Sequence, residues 1–74
     1  MITGAQKMYL TPGTRVELLI SVCDGQIEPG CHGTVVRCWP TQAWELPGYR
    51  YDVQWDGFHL GSLIMEMLEI RPVD

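Results

Sequence analysis

The residues of this chain that could do chemistry are its three cysteines and two histidines, which are Cys23, Cys31, His32, Cys38 and His59. Thiolates and imidazoles are the ligands that tetrahedral zinc prefers. The spacing does not suit a zinc site, because no Cys-x-x-Cys pair is present and because Cys31 and His32 are neighbours whose side chains diverge in a strand. We therefore expect no metal and no cofactor. An odd number of cysteines argues against a closed disulfide framework, so reduced, partly buried thiols are expected.

Carboxylates offer a second route to catalysis, as paired acids and bases. The candidates are Asp52, Asp56, Glu66 and Glu69. Asp52 is predicted on the solvent face of a strand and Asp56 in a turn, so both positions have a structural explanation. No Ser-His-Asp or Cys-His pair can be assembled from spacing, and no Gly-rich phosphate loop is present. We therefore expect no catalytic residue.

The charge balance disfavours nucleic acid as a partner. The chain carries five basic and nine acidic residues, for a net charge of -4. A nucleic-acid-binding protein needs a concentrated basic patch, whereas the basic residues here are scattered along the sequence. No apolar run approaches the roughly 20 residues that cross a membrane, and no secretory leader is recognisable at the N-terminus. A cytoplasmic location and no membrane contact are therefore expected.

Aromatic side chains form the best candidate surface for a partner. The proposed contact residues are Trp39, Trp44, Tyr49, Arg50, Trp55 and Phe58. Trp44 is the central one, because it lies in a predicted loop where burial is not obligatory and because exposed tryptophans favour partner binding. The alternative is structural: Trp39 and Trp55 would cap the core, with Trp44 folded over it as a lid.

The elements that would position these residues are five short strands. Apolar and polar residues alternate along them, and turn residues separate them, which is typical of half-buried strands. The predicted strands cover residues 14–22, 33–39, 49–55, 58–64 and 68–71. Asp56-Gly57 is predicted to form a hairpin turn, and Met65–Met67 a single helical turn before the last strand. Residues 1–11 are expected to be an arm, flexible or added to a sheet edge, before one domain over residues 12–74.

These segments resemble the SH3-like barrels. The resemblance is carried by P-G-x-R-V at Pro12–Val16, P-G-x-x-G-T-V at Pro29–Val35, Y-x-V-x-W-D-G at Tyr51–Gly57 and L-E-I at Leu68–Ile70. It is closest to uncharacterised bacterial and phage barrels with a G-T-V strand and a W-D-N-G hairpin. It implies an all-β, five-stranded, partly open SH3-like barrel, encoded by a phage or another mobile element. The fold hosts unrelated functions, so it does not specify an activity.

The chain also resembles the plasmid-type dihydrofolate reductases, whose barrels are similarly short. Trp39, Pro47-Gly48-Tyr49 and Leu68-Glu69 follow the order found in that family. In that family, activity depends on a Val-Gln-Ile-Tyr strand that lines a tetramer pore. The corresponding segment here, Gly61–Met65, contains neither the glutamine nor the tyrosine. An oligomeric reductase-like enzyme is therefore kept as an alternative function.

The chain has more apolar side chains than a five-stranded barrel can comfortably hide. A large exposed apolar patch usually marks an interface, and methionines suit adaptable contacts. The residues predicted to form a homo-oligomer interface are Leu60, Leu63, Ile64, Met65 and Met67.

The sequence therefore predicts a small, cytosolic, non-enzymatic SH3-like module. We expect it to bind a protein or peptide, or to associate with itself. Two alternatives stay open, the reductase-like enzyme and a small inhibitor of a host defence nuclease.

Overall fold

Five antiparallel strands form a single sheet, which confirms the all-β architecture predicted from the sequence. The computed structural model describes residues 9–42, 44 and 47–73. The strands are β1 (Arg15–Leu18), β2 (His32–Pro40), β3 (Tyr49–Trp55), β4 (Leu63–Glu66) and β5 (Ile70–Pro72). Their order across the sheet is β4-β3-β2-β1-β5, so β4 and β5 lie at its two edges. Within the described ranges, no helix is long and apolar enough to cross a membrane.

Alternation along the strands builds one hydrophobic core. On β3, the side chains of Tyr51, Val53 and Trp55 all point inward and are almost completely buried. The other buried apolar residues are Leu10, Val16, Leu18, Ile27, Val35, Met65 and Ile70, so every strand contributes. Burial of this apolar surface is the main favourable contribution to folding. The strand predicted at residues 49–55 is the observed β3.

Strand β1 ends earlier than its alternating sequence predicts. The alternation continues to Val22, but the strand stops at Leu18 and Ile20 is exposed. Val22 instead forms an isolated antiparallel bridge with Ile27. The turn between them contains two consecutive non-glycine residues with positive φ, Cys23 at 54° and Asp24 at 55°. This reversal of the chain ends the alternation that the sequence carries forward.

The second half of the chain also departs from prediction. The predicted strand at 58–64 is a connection up to Ser62, and β4 begins only at Leu63. Gly61 has a φ of 112°, which is incompatible with a strand at that point. The helical turn expected at Met65–Met67 is not formed. Met65 belongs to β4, and a turn follows in which the Glu69 N–H donates to the Glu66 carbonyl at 2.9 Å.

A bulge divides β2 into two halves that face differently. Val35 pairs with Val53, but the next pair is Arg37 with Asp52, so Val36 has no counterpart on β3. An extra residue reverses the inward and outward alternation beyond it. As a result, Arg37 and Trp39 lie on the outer face of the sheet, away from the core.

The predicted N-terminal arm is described only in part. Residues 1–8 lie outside the described residues. Leu10 is buried in the core, and the Tyr9 ring meets the Tyr49 ring edge to face at 5.7 Å between centroids. The end of the arm therefore packs against the sheet.

Candidate functional site

Two cross-strand rows of side chains occupy the outer face of β2, β3 and β4. The first row is Arg37, Asp52 and Ile64, and the second is Trp39, Arg50 and Glu66. Residues directly opposite on neighbouring strands interact most strongly. Both arginines use this proximity: Arg37 Nη2 lies 3.0 Å from Asp52 Oδ2, and Arg50 Nη2 lies 3.4 Å from Glu66 Oε2.

Asp52 is the buried polar residue of this face. The sequence predicts it on the solvent face, and its side chain does point away from the core, yet the residue is only 6% exposed. Arg37 covers it by donating from both Nε and Nη2 to Oδ2, while the arginine itself stays largely exposed. A buried carboxylate with a charged partner is stabilised relative to one left alone. The pair therefore fixes the position of Arg37.

A groove lies beside this pair on the outer face. It has a volume of about 510 Å³ and is lined by Tyr9, Pro12, Arg37, Cys38, Trp39 and Ile64. The Arg37 guanidinium lies over the Trp39 ring, 5.5 Å from its centroid, which is the geometry of a cation–π contact. We call this feature the outer-face groove. It combines flat aromatic walls with one fixed positive charge.

Trp44 lies in the connection between β2 and β3 and is 82% exposed. This connection runs from Pro40 to Tyr49, and its two ends are joined by a hydrogen bond in which the Thr41 N–H donates to the Gly48 carbonyl at 3.0 Å. Trp39 and Arg50 pair at this same end of β2 and β3. A lid over the core is not what the structure shows, because a lid tryptophan would be buried.

The six residues predicted to contact a partner are found in three different environments. Trp44 is exposed, while Trp39, Tyr49 and Arg50 are half-buried near the same sheet end. Phe58 packs partly against the core. Trp55 is 1% exposed and points inward, so its side chain cannot touch a partner. The same alternation that places Tyr51 in the core also places Trp55 there.

The predicted oligomer residues also separate. Leu60 and Ile64 are 80% and 60% exposed. Leu63 and Met67 are half-buried against the core, and Met65 is 2% exposed within it. Met65 is therefore a core residue, and only part of the predicted apolar surface faces solvent.

Sequence reasoning missed four of the groove residues, namely Tyr9, Pro12, Arg37 and Cys38. The outward position of Arg37 could not be predicted from alternation, because strict alternation from Val35 would point its side chain inward. Only the bulge at Val36 turns it outward. The paired basic and acidic residues on adjacent predicted strands, Arg37 and Asp52, were a signal that could have located this face.

The pKa values of two side chains, Cys38 in the groove and Asp56 elsewhere on the sheet, are shifted by their surroundings. Burial raises the pKa of the Cys38 thiol, so the thiol stays protonated at neutral pH. On another part of the sheet, the Arg15 guanidinium donates hydrogen bonds to both carboxylate oxygens of Asp56 and lowers the pKa of that carboxyl.

In the part of the chain that is described, no group of three or more His, Cys, Asp or Glu side chains could hold a metal ion.

No family model, curated protein or solved structure matches this chain.

Proposed function

We propose that this chain is a small non-enzymatic binding module that contacts a protein or peptide through the outer-face groove and Trp44. The observation that carries the proposal is the 82% exposure of the Trp44 side chain. Tryptophan is among the residues that contribute most to protein interfaces when a partner covers it. In a chain of 74 residues, leaving an indole outside the core forgoes a large part of the available burial.

The lining of the groove indicates the chemistry of the partner. Tyr9, Trp39 and Ile64 offer aromatic and aliphatic contact surface. The guanidinium of Arg37 uses Nε and Nη2 for Asp52, and Nη1 takes part in neither bond. A matching ligand is an extended segment with an aliphatic or proline side chain next to one acidic residue. The carboxylate would meet Arg37 while the apolar side chain lies against Trp39.

The proposal is tested by selecting peptides from a random library displayed on phage and measuring their affinity for purified variants by fluorescence anisotropy. We expect Trp44→Ala and Trp39→Ala each to weaken binding by about 10-fold or more, which is the scale of an interface hot spot. Leu19→Ala is the matched control, because Leu19 is an exposed large apolar residue outside the groove.

Thermal unfolding of each variant separates binding from folding. Trp44→Ala should unfold at the wild-type temperature, since its side chain is exposed. The proposal is overturned if no peptide is enriched, or if selected peptides bind wild type and Trp44→Ala equally. A large loss of stability in Trp44→Ala would also count against it, because the residue would then have a structural role.

A further inference from the structure

The two edges of the sheet are protected to different degrees. Strand β5 is only three residues long, ends in Pro72 and carries Arg71, whose Nη2 lies 2.5 Å from Glu17 Oε1. Short length, proline and charge are the usual means by which an edge strand is kept from pairing with another chain. Strand β4 has four residues, one of them the charged Glu66, but it has no proline, lysine or arginine, and its Ile64 side chain is 60% exposed. Among the residues that the structure describes, no segment pairs with the outer side of β4, so this is the edge open to a further strand.

The backbone of Ile64 points towards this open edge. The Glu66 N–H donates to Glu69 Oε1 at 2.8 Å, so it is directed away from β3. Residues two apart in a strand direct their backbone groups to the same side. The N–H and carbonyl of Ile64 are therefore aimed outward, while those of Leu63 and Met65 are aimed at β3.

We propose that two copies of this chain associate through their β4 edges, antiparallel, about a two-fold axis at Ile64. An axis at a residue, rather than between two residues, keeps the inner faces of both sheets on the same side. The two Ile64 residues then form a hydrogen-bonded pair, in which each N–H donates to the carbonyl of the other. A self-complementary contact of this kind closes on two copies and does not continue into a fibre.

Charge selects Ile64 over the other positions in the strand. Glu66 is the charged residue of β4. An axis at Glu66 would place two carboxylates opposite each other, and an axis at Met65 would place Ile64 against a carboxylate. With the axis at Ile64, Glu66 faces the partner's Ser62 and the exposed isoleucines meet each other.

The apolar residues that flank β4 follow the same symmetry. Leu60 and Leu68 stand four residues before and four residues after Ile64, and they are 80% and 63% exposed. The proposed axis brings the Leu60 end of one strand to the Leu68 end of the other. The association therefore covers the exposed Ile64 side chain on each copy and places the exposed Leu60 and Leu68, which lie outside β4, towards the two ends of the contact.

Sedimentation equilibrium of the full chain under reducing conditions, without any ligand, tests the proposal independently of peptide binding. Wild type should show twice the 8.4 kDa mass of one chain. Ile64→Lys should reduce this to a single-chain mass, because two like charges would meet at the axis. Val36→Lys is the matched control, since Val36 is another exposed β-branched residue of the sheet and the change in net charge is the same. It should leave the dimer intact.

A second measurement requires no variant that could misfold. Amide hydrogen exchange at Ile64 should slow as the protein concentration is raised through the association range, while exchange at Val36 should not change. The proposal is overturned if wild type sediments as a single chain at about 1 mM, the weakest association worth considering. It is also overturned if folded Ile64→Lys keeps the doubled mass, or if the Ile64 amide exchanges at the same rate at every concentration.

Discussion

Arg37 and Asp52 lie directly opposite each other on β2 and β3, and two nitrogens of the arginine share one oxygen of the aspartate. Nε lies 3.3 Å and Nη2 3.0 Å from Asp52 Oδ2. The acid is buried and the base is largely exposed. The contact therefore links a buried carboxylate to the outer-face groove. Asp52 holds the Arg37 guanidinium in place, and Arg37 supplies the charged partner of the buried acid.

Replacing Arg37 should destabilise the protein, because it leaves a buried carboxylate without its charged partner. We expect Arg37→Ala to lower the free energy of unfolding by about 1–2 kcal/mol, measured by urea titration. Asp52→Asn combined with Arg37→Ala should recover part of that loss, since no buried charge then remains. Equal stability of Arg37→Ala and wild type would show that solvent replaces the arginine fully.

Gly33 is required by a close approach inside the sheet. A Cβ built on Gly33 would lie 2.7 Å from Cε3 of Trp55 and 2.9 Å from the carbonyl oxygen of Gln54. We expect Gly33→Ala to lower the free energy of unfolding by about 1–3 kcal/mol or more, as overpacking does. Gly57→Ala is the contrast, because its Cβ would meet open space and only the φ of 78° is unfavourable, which costs about 1 kcal/mol. A Gly33→Ala variant as stable as Gly57→Ala would contradict the steric argument.

The turn at Cys23 and Asp24 should be sensitive to side-chain shape rather than to side-chain contacts. Asp24 has a φ of 55° and is exposed. Asp24→Val should lower the thermal unfolding temperature, corresponding to about 1–2 kcal/mol, since β-branched residues avoid this conformation. Asp24→Gly should change stability by less than about 1 kcal/mol in either direction. Gln26→Val serves as the control in the same turn, where φ is not positive. If all three variants behave alike, conformation is not the cause.

Tyr51 should make stability depend on alkaline pH. Burial raises the pKa of its phenol to about 12, from an ordinary value of 10.0. The folded state therefore favours the neutral phenol, so this stabilisation is complete below pH 10 and is lost as pH rises from 10 towards 12. The unfolding free energy of wild type should fall more steeply over this window than that of Tyr51→Phe. Parallel profiles for the two proteins would show that the phenol ionises as freely in the folded state as in the unfolded chain.

The success of sequence-based prediction varied along the chain for identifiable physical reasons. Strand β3 was predicted to the residue, because its alternation coincides with an interior strand that is paired on both sides and buries one face. Strand β1 was overextended, because Ile20 and Val22 continue the alternation past a turn formed by residues with positive φ. Strand β4 was predicted too early, because a glycine permits a φ such as the 112° of Gly61 without requiring it, so the sequence indicated a bulge or bend there rather than the start of the strand after it.

The candidate site was predictable only where side-chain exposure follows from local sequence. Trp44 was correctly placed in a loop, since prolines and glycine surround it. Trp55 and Met65 were assigned to surfaces although the alternation of their strands buries them. The outer-face groove required knowledge of long-range pairing, because Arg37 and Ile64 come together only through the register of three strands.

The unpaired Val36 has a consequence for how this chain can tolerate insertion and deletion. Removing that one residue would place Arg37 directly after Val35 and leave its pairing with Asp52 intact, so alternation along β2 would be unbroken and the stretch from Arg37 to Trp39 would keep its faces. A slip of the register by one residue without a deletion would instead pair Val36 with Asp52. That slip would drive a guanidinium and an indole inward and turn the thiol of Cys38 to water. Deleting Val36 thus preserves what every later residue of β2 faces, whereas pairing it with β3 inverts those faces.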